Sequence, residues 1–169
     1  SQAWGTTVVI ENRPGANGII ANEAAAKSPA DGYTILMANL GPNAINPAVY
    51  AKLPYDTVKD FAPVILTTIV PLVIVTAADS PVKSLAQLIA LAKEKPGQIT
   101  FDSAGNGAGS HLAGELLAMT TGAKMLHVPY KGDAPAIIDV MGGQLTIALP
   151  TALAGVPHIK SGKLRALAV

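Results

Sequence analysis

Apolar and polar positions follow two different rhythms along the chain. In the first 76 residues short apolar runs are cut by turns. Residues 6–11 alternate as a strand, Arg13, Pro14, Gly15, Ala16, Asn17 and Gly18 form a turn, and residues 19–27 predict an Ala-rich helix. Ser28, Pro29 and Gly32 stop that helix, residues 33–38 predict a second strand, and a short helix near residues 44–50 follows a polar break. The longest apolar run, residues 61–78, is interrupted by Pro63 and Pro71 and rich in Val, Ile and Thr. It suits two strands better than a membrane-spanning helix.

From Ser84 onward the pattern becomes regular. Ser84 and Gln87 are spaced as a capping box, and Leu85, Leu88, Ile89 and Ala92 share one face at helical spacing. Residues 98–103, 125–128, 145–149 and 164–169 read as strands, separated by helices at 111–121, 133–141 and 152–160. Such alternation implies a parallel α/β sheet with helical crossovers. A boundary near residues 75–79 divides the chain into a partial first lobe at 1–76 and a contiguous α/β second lobe at 77–167. The first lobe shows only two or three strands and is expected to be incomplete.

Half of the 169 residues are hydrophobic and only 14% are charged, well under the usual quarter or so, so an unusual share must be buried. The net charge of +1 is scattered, which argues against nucleic acid and an anionic membrane as partners. With no Cys there is no disulfide framework and no thiolate chemistry. Residues 1–5 show no basic stretch followed by an apolar one, so no secretion leader is read here.

The most chemically suggestive stretch runs from Ser103 through Ala104, Gly105, Asn106 and Gly107 to Ser110, between a strand and a helix. A helix start offers unpaired amides and positive potential, so an anion fits there. Glycines permit close approach, and Ser103, Asn106 and Ser110 add neutral hydrogen-bonding groups. The plain alternative is a glycine turn with Ser110 as helix cap. A phosphate-loop lysine is missing, Ser110 replaces the third glycine of the dinucleotide pattern, and Pro129 and Tyr130 end the next strand where a ribose-binding acid belongs.

Other loops carry weaker signals. Asn39, Gly41 and Asn43 form a polar break that reads equally as a ligand contact or as a turn with αL residues. Tyr130 and Lys131 face either the cleft or solvent, and Asp133 is expected to cap the helix that follows. His111 and Glu115 lie four apart, which fits a hydrogen-bonded helical pair; His127 and His158 add no metal-ligand spacing, so no metal site is expected. Ser110 and His111, adjacent on a helix, point about 100° apart, and no nucleophile elbow occurs, so no catalytic residue is assigned. Arg13 is read as structural.

Several strings resemble a known family. The run Glu11, Asn12, Arg13, Pro14, Gly15, Ala16, Asn17, Gly18 is similar to a signature of the Bug family of tripartite tricarboxylate transporter receptors. Further blocks follow in order: Asn46-Pro47-Ala48-Val49-Tyr50, Asp60-Phe61-Ala62-Pro63-Val64, His111-Leu112-Ala113-Gly114-Glu115, Val128-Pro129-Tyr130-Lys131-Gly132 and Gly142-Gly143-Gln144. The resemblance implies a type II periplasmic-binding-protein-like α/β fold, two lobes with parallel-rich sheets, of which the first is incomplete here. It also implies a chain shorter than the family's receptors at both ends, with residues 168–169 starting a return crossover and a hinge near Val75 and Leu167.

By the same resemblance the protein is a periplasmic receptor of a Gram-negative bacterium, catalyses nothing, needs no cofactor and does not insert into the membrane. It would pass a small organic acid, a di- or tricarboxylate or an amino-acid-like solute, to membrane permease subunits. The ligand set so implied is Ser103, Ala104, Gly105, Asn106, Gly107 and Ser110 on one side and Asn39, Gly41 and Asn43 on the other, with Tyr130 and Thr151 beside them. Pro150 and Thr151 stand where relatives carry Asp or Asn, and Asp133 where Gly or Ser is usual; its charge would disfavour a second carboxylate. The rival readings are a nucleotide-binding or hydrolytic α/β enzyme and a ligand-incompetent piece of a receptor.

Overall fold

The computed structural model describes residues 5–169; Ser1 to Trp4, read above for a leader, lie outside the described residues. The regular part begins with strand β1, Ile74–Ala77. Helix α3 (Leu85–Glu94) follows, then β2 (Ile99–Ser103), α4 (Gly109–Thr121), β3 (Met125–Pro129), α5 (Asp133–Met141), α6 (Ala152–Lys160) and β4 (Leu164–Ala168). Strands β2 and β3 are parallel, and β1 and β4 are antiparallel with Val75 opposite Ala166. Residues 145–149 lie between the two pairs, bridging Val75 to Ala148 on one side and Phe101 to Ile147 on the other.

This middle segment corrects the sequence expectation of a full strand. Backbone bonds join Ala148 to Val75 and Ile147 to Thr100, and side chains supply the rest of its pairing. The Thr146 amide donates to Thr100 Oγ1 over 2.9 Å, the Thr100 amide to Thr146 Oγ1 over 3.2 Å, and the Leu149 amide to Asp102 Oδ1 over 2.6 Å. The sheet is therefore mixed, with a parallel half and an antiparallel edge pair.

Two cores flank it. One joins Val73, Val75, Ala136, Ile137, Val140 and Ala148 beneath α5. The opposite core joins Leu88, Ala92, Ile99, Phe101, Ile147 and Leu149 beneath α3 and α4. Two-sided burial explains why so few charged residues suffice. Helix α3 starts as its sequence demands: Ser84 Oγ accepts the Gln87 amide over 3.2 Å, and Gln87 Oε1 accepts the Lys83 amide over 2.7 Å. Helix α4 approaches β2 so closely that a Cβ on Gly114 would stand 2.1 Å from Cε2 of Phe101.

The N-terminal part is built differently. Helix α1 (Ile19–Ala26) follows a tight turn at Ala16–Gly18 that holds Asn17 at φ 49°. A π-turn at Gly41–Ile45 leads into the short helix α2, Asn46–Val49. The expected strands at residues 6–11 and 33–38 are not formed, nor is a strand within residues 61–73. A strand is a paired object, and among the described residues no neighbour supplies residues 6–11, 33–38 or 61–70 with a ladder, while residues 71–73 meet residues 150–152 only through an isolated bridge and single backbone bonds. Val9, Ile10, Tyr33 and Met37 accordingly stand exposed.

Candidate functional site

The carboxyl ends of β2, of β3 and of the middle segment lie along one edge of the sheet, the edge at which parallel α/β proteins place ligands. This brings together the loop after Ser103, Tyr130 after β3, and Thr151 ahead of α6, as the spacing along the chain requires. The N-terminal part meets the same edge. A Cβ on Gly109 would stand 3.6 Å from Leu40 Cδ2, and one on Gly107 would stand 3.4 Å from Asn17 Nδ2 and 3.5 Å from Asn46 Oδ1. Two open depressions, about 430 and 340 Å³, are lined by Ala77, Asp79, Lys163, Gly143 and Thr146 at the opposite end of the sheet.

Within the loop several groups are already engaged. Ser103, fully buried, has its hydroxyl 3.0 Å from the Gly105 carbonyl and 2.6 Å from His127 Nε2, and accepts the Gly105 amide over 3.2 Å. The Ala104 amide donates to Ser110 Oγ over 3.1 Å, and the Gly107 amide to His111 Nδ1 over 3.2 Å. Ser110 is thus not the helix cap; Ala108 holds that place, and Ser110 braces the loop from inside the first turn. Among the described residues the amides of Asn106, Gly109, Ser110 and His111 have no protein acceptor. Those four, together with the positive end of α4, form the anion-seeking part of the loop. Gly105 and Gly107 hold φ of +138° and +79°, conformations that side chains resist.

The first-lobe candidates form a turn of their own. Asn39 Oδ1 accepts the Gly41 amide over 3.0 Å, and Asn43 Nδ2 donates to the Asn39 carbonyl over 3.1 Å. Its backbone is right-handed and π-helical, without the αL residues that the turn reading allowed, and it leads into α2. Behind it, Asn17 Nδ2 donates to Asn46 Oδ1 over 2.9 Å and Tyr55 Oη to the Pro42 carbonyl over 2.8 Å. The buried Asn46 and its partner Asn17 were not singled out from the sequence; the signal available was an amide pair 29 residues apart, invisible to any local spacing rule.

On the other flank, Tyr130 Oη donates to Asp139 over 2.7 Å, and this bond pushes its phenol up to about 12, so the hydroxyl is spent on α5. Asp133 is the first residue of α5 and not its cap; Gly132 is. The Asp133 carboxylate instead accepts both the Thr151 amide, at 3.0 Å, and the Thr151 hydroxyl, at 2.8 Å. Thus two unusual residues of the sequence satisfy one another. Asp102, fully buried, holds the Leu149 amide with one oxygen while the other has no partner, and burial pushes its carboxyl up to about 6. His111 and Glu115 stand 3.8 Å apart, beyond hydrogen-bond reach, and Arg13 pairs with exposed Glu11 at 2.7 Å. Among the described residues no cluster of acids and histidines fits a metal, and no helix is long and apolar enough to cross a membrane.

A sheet covered by helices on both faces, with the carboxyl edge of its parallel strands turned toward a second body of the same chain, is the architecture of a periplasmic solute-binding receptor. Over 98% of its length the chain superposes on the periplasmic binding protein BugD, with TM-score 0.89 and 34% identity, covering 55% of that chain. The chain belongs to the tripartite tricarboxylate transporter family receptors, whose pattern it matches over residues 1–169. That is a family of receptors and not of enzymes. Protein BugT of Bordetella pertussis is 41% identical over 98% of the chain, which covers 51% of that relative. An R. palustris protein solved with adipate gives TM-score 0.93 and 36% identity, over 98% of this chain and 56% of that one. MatC from Rhodopseudomonas palustris, solved with bound malate, gives TM-score 0.87 and 28% identity, over 98% and 56%. The chain spans about half the length of the curated relatives it matches.

Proposed function

We propose that the protein captures a small carboxylate-bearing solute in the periplasm of a Gram-negative bacterium and delivers it to the permease subunits of a tripartite tricarboxylate-type transporter. The observation that carries this reading is the group of unspent amides at Asn106, Gly109, Ser110 and His111, at the edge where the N-terminal part meets the sheet. Neutral donors at a helix start bind a carboxylate without a fixed counter-charge, which suits reversible capture. Relatives solved with adipate and malate support the ligand class.

In this reading residues 1–76 belong to one lobe and 77–167 to the other, and the ligand lies between them. Ser103, Ala104, Gly105, Gly107 and Ser110 shape the cradle, Asn106 lines it, and Asn39, Gly41 and Asn43 face it from the first lobe. Tyr130 and Thr151 bound its far side, where the Asp133 charge disfavours a second carboxylate placed close to it.

Calorimetric titration of the receptor carrying this chain against a panel of mono- and dicarboxylates tests the proposal. One or more acids are expected to bind, and Gly105→Val, which forces a side chain onto φ +138°, is expected to weaken binding by tenfold or more, on the order of one or two kcal/mol of strain. No heat from any acid overturns the reading; unchanged affinity in Gly105→Val removes the loop from the site.

A further inference from the structure

The glycine loop is anchored by two imidazoles. His127, on β3, shares a 2.6 Å hydrogen bond through Nε2 with the buried Ser103 hydroxyl. His111, in the first turn of α4, accepts the Gly107 amide at Nδ1 over 3.2 Å. The two rings stack with centroids 3.9 Å apart and planes 18° from parallel, and Phe101 supports His127 from 5.1 Å. One two-ring unit thus holds both ends of the loop.

An imidazole nitrogen accepts a hydrogen bond only while it carries no proton. Gly107 is therefore held only by a His111 that is neutral and protonated at Nε2, the nitrogen 3.8 Å from Glu115 Oε1. A second proton, at Nδ1, sets two donors face to face. Gly107 then loses the bond that fixes it beside Asn17 and Asn46. The titratable groups facing the pair are Glu115, on the same helix as His111, and each imidazole for the other. From β2 and the loop come Phe101, Ser103 and Gly107, all uncharged. Burial and the neighbouring His111 hold His127 below the usual histidine value, with Glu115 acting in the opposite sense. A charge gained on His111 has Glu115 3.8 Å away, and the contact that protonation removes outright is the loop bond to Gly107.

From this geometry we infer that His111 and His127 are positioning residues of the ligand loop, and that carboxylate capture weakens as His111 takes up a proton. The inference takes its ligand from the receptor reading above, whereas the latch itself rests on the loop alone.

Adipate and malate are titrated calorimetrically into the receptor between about pH 8 and about pH 5.5, across the histidine range. The comparison is with His111→Asn, whose amide oxygen takes the place of Nδ1 and does not titrate; because ligand protonation is common to both proteins, the ratio of their affinities is read. That ratio is expected to fall about five- to tenfold toward acid, the worth of one hydrogen bond. His111→Leu is expected to bind weakly throughout, and His127→Gln to restore what His127→Leu loses. In parallel, the Gly107 amide resonance should follow a titration in the wild type and not in His111→Asn, with no ligand present. A Gly107 resonance indifferent to pH, a flat or rising affinity ratio, or a His111→Asn protein as weak as His111→Leu overturns the inference. Should no acid of the mono- and dicarboxylate panel bind while Gly107 titrates with His111, the receptor reading fails and the latch stands.

Discussion

Residues 64–70 and residues 72–77 are neighbours of the same kind, apolar and β-branched, yet they meet opposite fates. Val64 and Ile65 stand 85% and 77% exposed, while Val75 is at 0%. The difference lies in company and not in composition. Val75 exchanges backbone hydrogen bonds with Ala148 over 2.8 and 2.9 Å and faces Ala166 on the other side, whereas residues 64–70 have no strand beside them. Apolar alternation therefore marks what a segment is suited to do, and burial follows only when a partner completes the ladder.

Four substitutions sharpen this contrast. Phe101→Ala, emptying the fully buried ring beneath α4, should cost about 4 kcal/mol in urea denaturation. A loss below about 1 kcal/mol would mean that the second core is no better packed than the N-terminal runs. Gly114→Ala should cost about 3 kcal/mol, since the added methyl would lie 2.1 Å from that ring, and overpacking outweighs the roughly 1 kcal/mol that alanine gains in a helix.

The third prediction concerns charge held inside order. Asp102 is raised to about 6 by burial, with the Asp133 charge adding to it. A folded value above the unfolded one, about 4, means that this group's contribution is present below about pH 4 and lost as pH rises through about 6. Relative to Asp102→Asn, the wild type should gain about 2 kcal/mol between about pH 7 and about pH 4, an order-of-magnitude figure read from denaturation at both values. Equal pH dependence in the two proteins would place Asp102 in contact with water. Smallest of all, Ile65→Asn should change stability by under about 0.5 kcal/mol in this chain. A larger loss would show that residues 64–70 pack against something.

Much of the C-terminal fold was legible. The capping box at Ser84, the helices at 133–141 and 152–160 and the strands ending at Ser103 and Pro129 follow from local pattern and turn chemistry. The middle segment was legible as apolar but not as irregular, because its ladder is divided between backbone bonds and the side chains of Thr100, Thr146 and Asp102, whose hydroxyls and carboxylate look like ordinary polar alternation. At the candidate site, the glycine loop and the helix that follows it were legible as local structure. The allocation of its hydrogen bonds was not. Ser110 reads as a cap, Asp133 reads as a cap, and each turned out to serve a partner 6 or 18 residues away. His127 stayed hidden because the ring that gives it meaning lies on another element.

The close approach of Gly114 to Phe101 ties two positions into one inheritance. Neither can drift alone: a larger residue at 114 is admissible only in a descendant whose residue 101 has already shrunk. The glycine loop, riding on the first turn of that helix, would settle to a new height above the sheet with every such exchange. A change in the loop can thus begin in the core, about one helical turn from the free amides of Ser110 and His111.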